Sequence, residues 1–586
     1  AFIAHHPLAR EVAFVVNLEA RGTSGPSFMF ETDRDNAWAV GRFARAAPRP
    51  LTSSLFSTIY ERMPNDTDFT VFKGAGLRGL NFAFIGRPAH YHTRLDSLAN
   101  LSRGSLQHHG DNLLAAARAL AAEDLDRAPR GAAVFFDLLG WTVVRWPAGW
   151  TLPLAALALL LVVVAAGRLR RRGELSRGGA ALGLLAVPAM TLAAAAAGWL
   201  LGAGLLGRGA YAAVWLAEPL AVAPFWLAGV AGALAVAIPL VRRAGTAGAW
   251  AGVWLLWALL ALAVGASLPG LSFLFLAPAL LAGLAGALAP GSAAAALLPL
   301  ALAGALWLPI LRFLPDALKT GILPAVAALV GLSVSGLAAL AAGGSRRARW
   351  GTVAVLALAA LALAGWALTL PPFTAHSPQA VNVSFHQAFD AGGRALGARL
   401  YSAPEPLRLP RAVAAAAAWR DEPEPLYPWV PVPVLAAPVR PLAMAPPEVV
   451  VVDDAVAPGG GRRLRLRLVS RRGAPIAGVA LPPEAAVRSV RVAGTPVPEQ
   501  AGRASAPPGG AKGWRVVSYT GVSREGVEVE LALGRAGALE LHVFDRAYGL
   551  PPAGERVARR RPPAAVPIGG GDATVFTRPI RVPPPS

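Results

Sequence analysis

Glu19 closes a short apolar run, Val12-Ala13-Phe14-Val15-Val16-Asn17-Leu18, and is followed by Ala20-Arg21-Gly22. In α/β domains, ligands and catalytic groups gather at the C-terminal ends of strands. A carboxylate at that position can bind a metal ion, or it can cap the following turn. His92 stands in Tyr91-His92-Thr93-Arg94-Leu95-Asp96. A loop histidine with an acid four residues on can be a metal ligand whose ring is oriented by that carboxylate; an ordinary surface histidine is the plain alternative. Asp66 and Asp68, in Asn65-Asp66-Thr67-Asp68-Phe69, form an acidic, turn-like segment that by default is a solvated loop. The chain has no cysteine, so a disulfide framework, a thiolate metal site and a cysteine nucleophile are excluded.

These residues need elements to position them. The apolar runs at 12–18, Ser27-Phe28-Met29-Phe30 and Gly79-Leu80-Asn81-Phe82-Ala83-Phe84-Ile85 read as buried parallel strands. Helical patterns at Ala37–Ala46 and Asn112–Ala122 alternate with them, which implies an α/β domain over residues 1–148.

The rest of the chain is different. At 586 residues, about three units are expected. Hydrophobic residues make up 55% and charged residues 15%, against about 25% charged in ordinary globular chains. Mean hydropathy is +0.48. A disordered, collagen-like or purely cytosolic chain is excluded. Between residues 149 and 370 the chain offers about eight apolar segments near the length of a membrane span: 151–167, 179–201, 212–240, 248–267, 271–289, 293–313, 321–342 and 351–370.

The formal net charge is +21. In a soluble chain that would suggest nucleic acid; here the positive-inside rule explains it, and no nucleic-acid partner is expected. Arg168, Arg170, Arg171, Arg172, Arg177, Arg242, Arg243, Arg346, Arg347 and Arg349 fall in alternate loops, while the others hold only Arg208, Arg312 and Lys319. The bias places both terminal domains on the extracytoplasmic side of the bilayer. Residues 371–586 alternate with period two at Leu464–Leu468, Val527–Leu531 and Leu539–Val543, as in an all-β, sandwich-like domain. The Pro- and Arg-rich tail beyond Pro551 is expected to be loose.

Taken together and in order, Asn17-Leu18-Glu19-Ala20-Arg21-Gly22, Asp66-Thr67-Asp68-Phe69, Asn81–Ile85 and Tyr91-His92-Thr93 resemble the C-terminal half of a di-zinc aminopeptidase domain. The resemblance covers roughly residues 1–122. It is closest to the membrane metallopeptidases of the vacuole and endoplasmic reticulum, in which such a domain precedes a multi-span region and a distal soluble domain. It implies two zinc ions, a peptide substrate, Glu19 as a ligand of one zinc and His92 as a ligand of the other. Asp68 and Asp96 match acidic positions with supporting or substrate-lining roles. The resemblance further implies that a histidine ligand, a bridging aspartate and a Glu-Glu pair carrying the general base lie upstream. The chain opens in mid-element at Ala1-Phe2-Ile3, without a signal-peptide pattern. It therefore reads as a fragment with one ligand per zinc, inactive alone.

Two other readings stand beside this one. A transporter would need polar or ionisable residues along its spans, and the spans contain almost none. A receptor-like protein could keep the peptidase fold without catalysis. Glu218 is the one acid well inside an expected span, and its place beside Pro219 suggests snorkelling or a broken helix. The pairs His5-His6 and His108-His109 read as solvated or helix-terminal, because neighbours on a helix do not face each other. The Asn-X-Ser/Thr triplets at Asn65, Asn100 and Asn382 are expected by chance.

Overall fold

A computed structural model describes residues 2–63, 66–125, 127–206, 218–318, 320–341, 345–404, 407–420, 424–457, 459–497 and 513–585. Asn65, Arg208 and Lys319 lie outside the described residues. The chain forms two compact units. One comprises Ala1–Tyr91 and Asp96–Phe373, the other His92–Leu95 and Thr374–Ser586.

The first unit opens with a three-stranded sheet in the order β1 (Val15–Ala20), β3 (Gly79–Phe84), β2 (Phe28–Thr32). β3 is central, and every residue of it is buried, as its unbroken apolar run predicts. β1 runs parallel to it, with Asn17 opposite Asn81 and Glu19 opposite Ala83. β1 is an edge strand, which leaves Leu18 exposed. β2, expected to be parallel, is antiparallel to β3. The short Arg21–Ser27 connection reverses the chain, whereas a parallel crossover takes about a dozen residues or more.

Helix α1 (Ala37–Ala46) buries Val40 and Phe43, and α4 (Arg103–Ala121) buries Ala116 and Leu120. These side chains share one core with Met29, Leu80, Phe82 and Phe135. Between them come α2 (Ser54–Tyr60) and α3 (Asp68–Gly74). Ser102 caps α4 by accepting from the Ser105 amide. Gly79 admits no side chain, because a Cβ there would lie 2.3 Å from the Phe69 ring and 2.5 Å from the Val15 carbonyl.

The same unit continues into apolar helices: α5 (Thr151–Arg171), α6 (Arg177–Leu206), α7 (Pro219–Ser267), α8 (Phe273–Leu288), α9 (Ala293–Leu318), α10 (Leu323–Ser333) and α11 (Arg346–Ala367). Among the described residues, six helical stretches are long and apolar enough to cross a membrane. One of them, Leu220–Ser267, has 48 residues, about 70 Å at 1.5 Å per residue, or twice a bilayer core of about 30 Å. It breaks at Gly245, where φ is +72°, beside the exposed Arg242 and Arg243. It therefore covers two of the expected segments. Phe273–Leu288, at 16 residues, is shorter than the others and coincides with a further expected segment.

Small residues bring the helices together. Cβ atoms built on Gly183 and Gly252 would fall 2.1 Å from the backbone of the facing helix, so α6 and α7 touch main chain to main chain, as Gly-xxx-Gly spacing allows. Two buried indoles find partners: Trp250 donates to the Ala295 carbonyl and Trp257 to Ser335 Oγ, each at 2.9 Å. The α/β layer is locked to these helices. Phe28 packs edge-on against Phe313, Phe136 stacks on Phe273, and Ser54 Oγ donates to the Gly270 carbonyl. Glu218 is exposed at the N-cap of α7, so it marks a helix end rather than a span interior.

The second unit holds a five-stranded and an eight-stranded sheet. The period-two runs are real strands: Gly461–Val469 and Val527–Leu533 in the smaller sheet, Leu539–Tyr548 in the larger. Leu464, Leu466, Val529 and Leu531 from one sheet share a core with Val479, Leu541 and Val543 from the other. This is a sandwich. The tail expected to be loose is ordered. Ala573–Val582 lies inside the larger sheet, antiparallel to Leu539–Tyr548 on one side and parallel to Ser384–Phe389 on the other. Its Val-Phe-Thr core segment outweighs the flanking prolines, and Phe576 is completely buried. The arginine run is ordered as well, with Arg561 paired to Asp572.

Candidate metal site

Glu19 is half-buried at the C-terminal end of β1, and its Oε1 accepts from Asn17 Nδ2 at 3.1 Å. Asn17 also donates to Asn81 Oδ1 at 3.0 Å, across the β1–β3 register. Asn81 in turn donates to Glu31 Oε2 at 2.9 Å and to Thr67 Oγ1 at 3.0 Å. Two asparagines at matching positions on parallel strands thus tie Glu19 to a buried acid on β2. Tyr60 on α2 belongs to the same cluster. Burial pushes its phenol well above the ordinary range, and the carboxylates of Glu31, Asp66 and Glu19 push it further.

Glu31 is 2% exposed and pairs with Lys73 on α3 at 2.7 Å. Sequence reasoning passed over both. The signal available was the acid inside the apolar run Phe28-Met29-Phe30-Glu31, which demands a partner once buried. Breaking such a pair leaves an uncompensated charge at a cost of about 3 kcal/mol or more. Lys73→Met is therefore expected to lower stability by about that amount. Chemical denaturation of the variant against the parent checks it; a difference under about 1 kcal/mol would show that Glu31 does not need the pair.

Asp68 begins α3 and is exposed, and Thr67 ahead of it forms a capping box with Thr70. The acid therefore favours the positive end of a short helix, and Thr67 rather than Asp68 reaches the asparagine network. His92 is exposed on a turn with φ +58°, and its carbonyl accepts from the Gly569 amide at 2.9 Å. It belongs with the second compact unit, as do Thr93 to Leu95. Asp96 is exposed. Two residues before His92, the buried His90 ring meets Thr23 Oγ1 at 2.8 Å and anchors the loop.

The pair His108-His109 is not solvated. His109 is 7% exposed, meets Ser27 Oγ at 2.8 Å, and has its pKa pushed down to about 4 by burial and by neighbouring His108. His108 accepts from the Ser27 amide and meets the Arg49 carbonyl. The two rings reach different partners from one side of α4 because both grip the same Ser27 loop. His6 caps the short turn Pro7–Glu11, and the His5 side chain lies outside the described residues.

Arg21, two residues beyond Glu19, donates to the Ala317 carbonyl at the C-terminal end of α9 at 2.8 Å, a favourable place for a cation. Arg312, one turn earlier on the same helix, pairs with buried Asp316 at 3.1 Å. The β1 rim is thereby tied to a membrane helix of its own unit.

A catalytic zinc takes three protein ligands. Among the described residues, no three histidine or acidic side chains converge to hold a metal ion. Glu19 and His92 are donors of suitable type, but the described residues do not by themselves complete a metal centre.

The first part of the chain has known relatives. Residues 1–117 match Peptidase family M28. That segment is similar to a peptidase M28 domain, and the chain is homologous to proteins named endoplasmic reticulum metallopeptidase and vacuolar membrane protease. It is 33% identical over 174 residues to endoplasmic reticulum metallopeptidase 1 of Rattus norvegicus, covering 28% of this chain and 19% of the relative. For the Homo sapiens protein of the same name the figures are 35% over 153 residues, 25% and 17%. For the vacuolar membrane protease of Yarrowia lipolytica they are 31% over 158 residues, 26% and 16%. The chain spans less than a fifth of the length of these relatives.

Proposed function

We propose that the full-length protein is a membrane-anchored zinc metallopeptidase that removes N-terminal residues from peptides. The observation that carries the reading is the M28 match over residues 1–117, with Glu19 held at the C-terminal strand end where such sites form. Glu19 and His92 would each supply a ligand to one of two zinc ions. When bound, zinc supplies a Lewis acid and an activated water. The chain's own residues do the rest. Asn17 orients the Glu19 carboxylate through Oε1, leaving Oε2 for a ligand. The Asn17–Asn81–Glu31 network holds that rim rigid, and the left-handed turn at His92 projects an exposed imidazole. Asp68 and Asp96 would support or line the site. The remaining ligands and the general base are not supplied by the described residues. The test is aminoacyl-reporter hydrolysis by the full-length protein, with and without chelation.

Residues 1–148 form the peptidase domain in this reading, 149–370 the membrane anchor and 371–586 a further extracytoplasmic domain. The orientation follows from the arginines. Arg168 and Arg172 at the end of α5 donate to the Ala287 and Pro290 carbonyls at the end of α8, so one face of the helical layer concentrates positive charge. Reporter fusions after Arg172 and after Arg347 are expected to read cytoplasmic, and fusions after Pro585 external. A cytoplasmic C-terminal reporter would contradict an even number of spans.

A further inference from the structure

The second compact unit contains a cavity of about 270 Å³ that no part of the peptidase reading uses. One wall is aromatic: Tyr427 and Trp429 stack with centroids 5.1 Å apart and planes within 11°, and Phe544 lies beyond Trp429. The opposite lining is polar, with Asn382, Ser384 and Ser402. Ser402 is 1% exposed, and its Oγ has no hydrogen-bond partner among the described residues. A buried hydroxyl left unmatched calls for a ligand atom or an ordered water.

The charge balance selects the ligand. Among the described residues no acid lines the cavity, and the one formally charged lining group is Arg546. Among the described residues its Nη2 meets the Gly570 carbonyl alone, at 3.4 Å, and its buried Nε meets no partner. Nearby His386 adds no charge, because burial and Arg399 push its pKa down to about 3 and its ring meets Thr577 Oγ1 at 2.8 Å. A guanidinium short of partners beside an aromatic wall suits a carboxylate on an apolar body. An ammonium would find no counter-charge among the described lining residues. The volume, at the low end for ligand pockets, fits one residue rather than a polymer.

We infer that this cavity binds a residue-sized carboxylate with an apolar body and no ammonium group, the carboxylate meeting Arg546 and the body lying on Trp429. A peptide's C-terminal residue and a simple aryl acid share that chemistry. The site is independent of the peptidase reading and can fail or stand without it.

The test is calorimetric titration of the full chain in detergent with four probes: N-acetyl-L-phenylalanine, its neutral amide, 3-phenylpropionate and methyl β-glucoside. The two acids are expected to bind and the amide to bind at least about tenfold more weakly. Tighter binding of the N-acetylated residue identifies a peptide terminus, and tighter binding of phenylpropionate an organic acid. Arg546→Gln is expected to remove the preference for acid over amide. Ser402→Val, which replaces the unmatched hydroxyl with a methyl, is expected to weaken N-acetyl-L-phenylalanine severalfold and serves if the arginine variant does not fold. Equal binding of acid and amide, binding of the glucoside alone, or no heat from either acid up to about 10 mM would overturn the assignment.

Discussion

In the full-length protein, His92→Ala is expected to abolish peptide hydrolysis while leaving the fold intact. The imidazole is exposed on a turn, so its removal uncovers no core. Altering even the outer partners of metal ligands costs 10–100-fold in affinity or activity, so losing a ligand should exceed about 100-fold. The backbone there has φ +58°, which alanine tolerates poorly and asparagine better. His92→Asn therefore separates backbone strain from ligand loss, and it should be as inactive as the alanine variant. His108→Ala on α4, which loses contacts to Ser27 and Arg49, should keep activity near that of the parent. The check is the rate on aminoacyl reporters, with thermal unfolding in parallel. An active His92→Asn enzyme would remove His92 from the site.

The second large effect lies in the sandwich. Arg462 has no exposed surface. Its Nε and Nη2 clasp the two oxygens of Asp454 at 2.8 and 2.6 Å, Nη1 donates to the Gly537 carbonyl at 2.8 Å, and Nη2 also donates to the Pro583 carbonyl. Arg462→Ala strands Asp454 and two carbonyls, at a cost of about 3–5 kcal/mol. Arg467, itself 44% exposed and paired with Glu528 at 35% exposed, is the control. Surface pairs contribute about 0–1 kcal/mol, so Arg467→Ala should be nearly silent. Denaturant unfolding of the two variants distinguishes them, and equal effects would mean that burial does not set the difference.

The contrast between those arginines shows what could be read in advance. Both sit in one alternating run, Leu464-Arg465-Leu466-Arg467-Leu468 and its start, and period two announces the strand. It does not announce that Arg462, at the strand's first turn, is enclosed by the chain's far end at Pro583. The same blind spot produced the loose-tail expectation: proline and arginine composition speaks for disorder, but ten paired residues of Ala573–Val582 speak against it. Strand direction was similarly hidden for Phe28–Thr32, because an apolar run carries no sense of direction.

The spans were legible because hydropathy acts over some twenty residues at once. One boundary was legible too: the break at Gly245 falls beside Arg242 and Arg243, between two of the expected segments. At the candidate site, Glu19 and His92 stood out through spacing and resemblance. Glu31, Lys73 and Asn81 did not, because their importance comes from Lys73 and Asn81 meeting Glu31 at sequence separations of 42 and 50.

The reading of this protein as a metal-dependent peptidase is tested most directly by its response to metal removal and return. Full-length protein in lipid nanodiscs would be assayed on a panel of aminoacyl reporters, stripped with chelator, and assayed again after zinc is restored, with bound zinc measured at each stage. Hydrolysis should vanish on stripping and return with about two zinc ions per chain. A protein that never holds zinc, or hydrolysis that survives complete stripping, would contradict it.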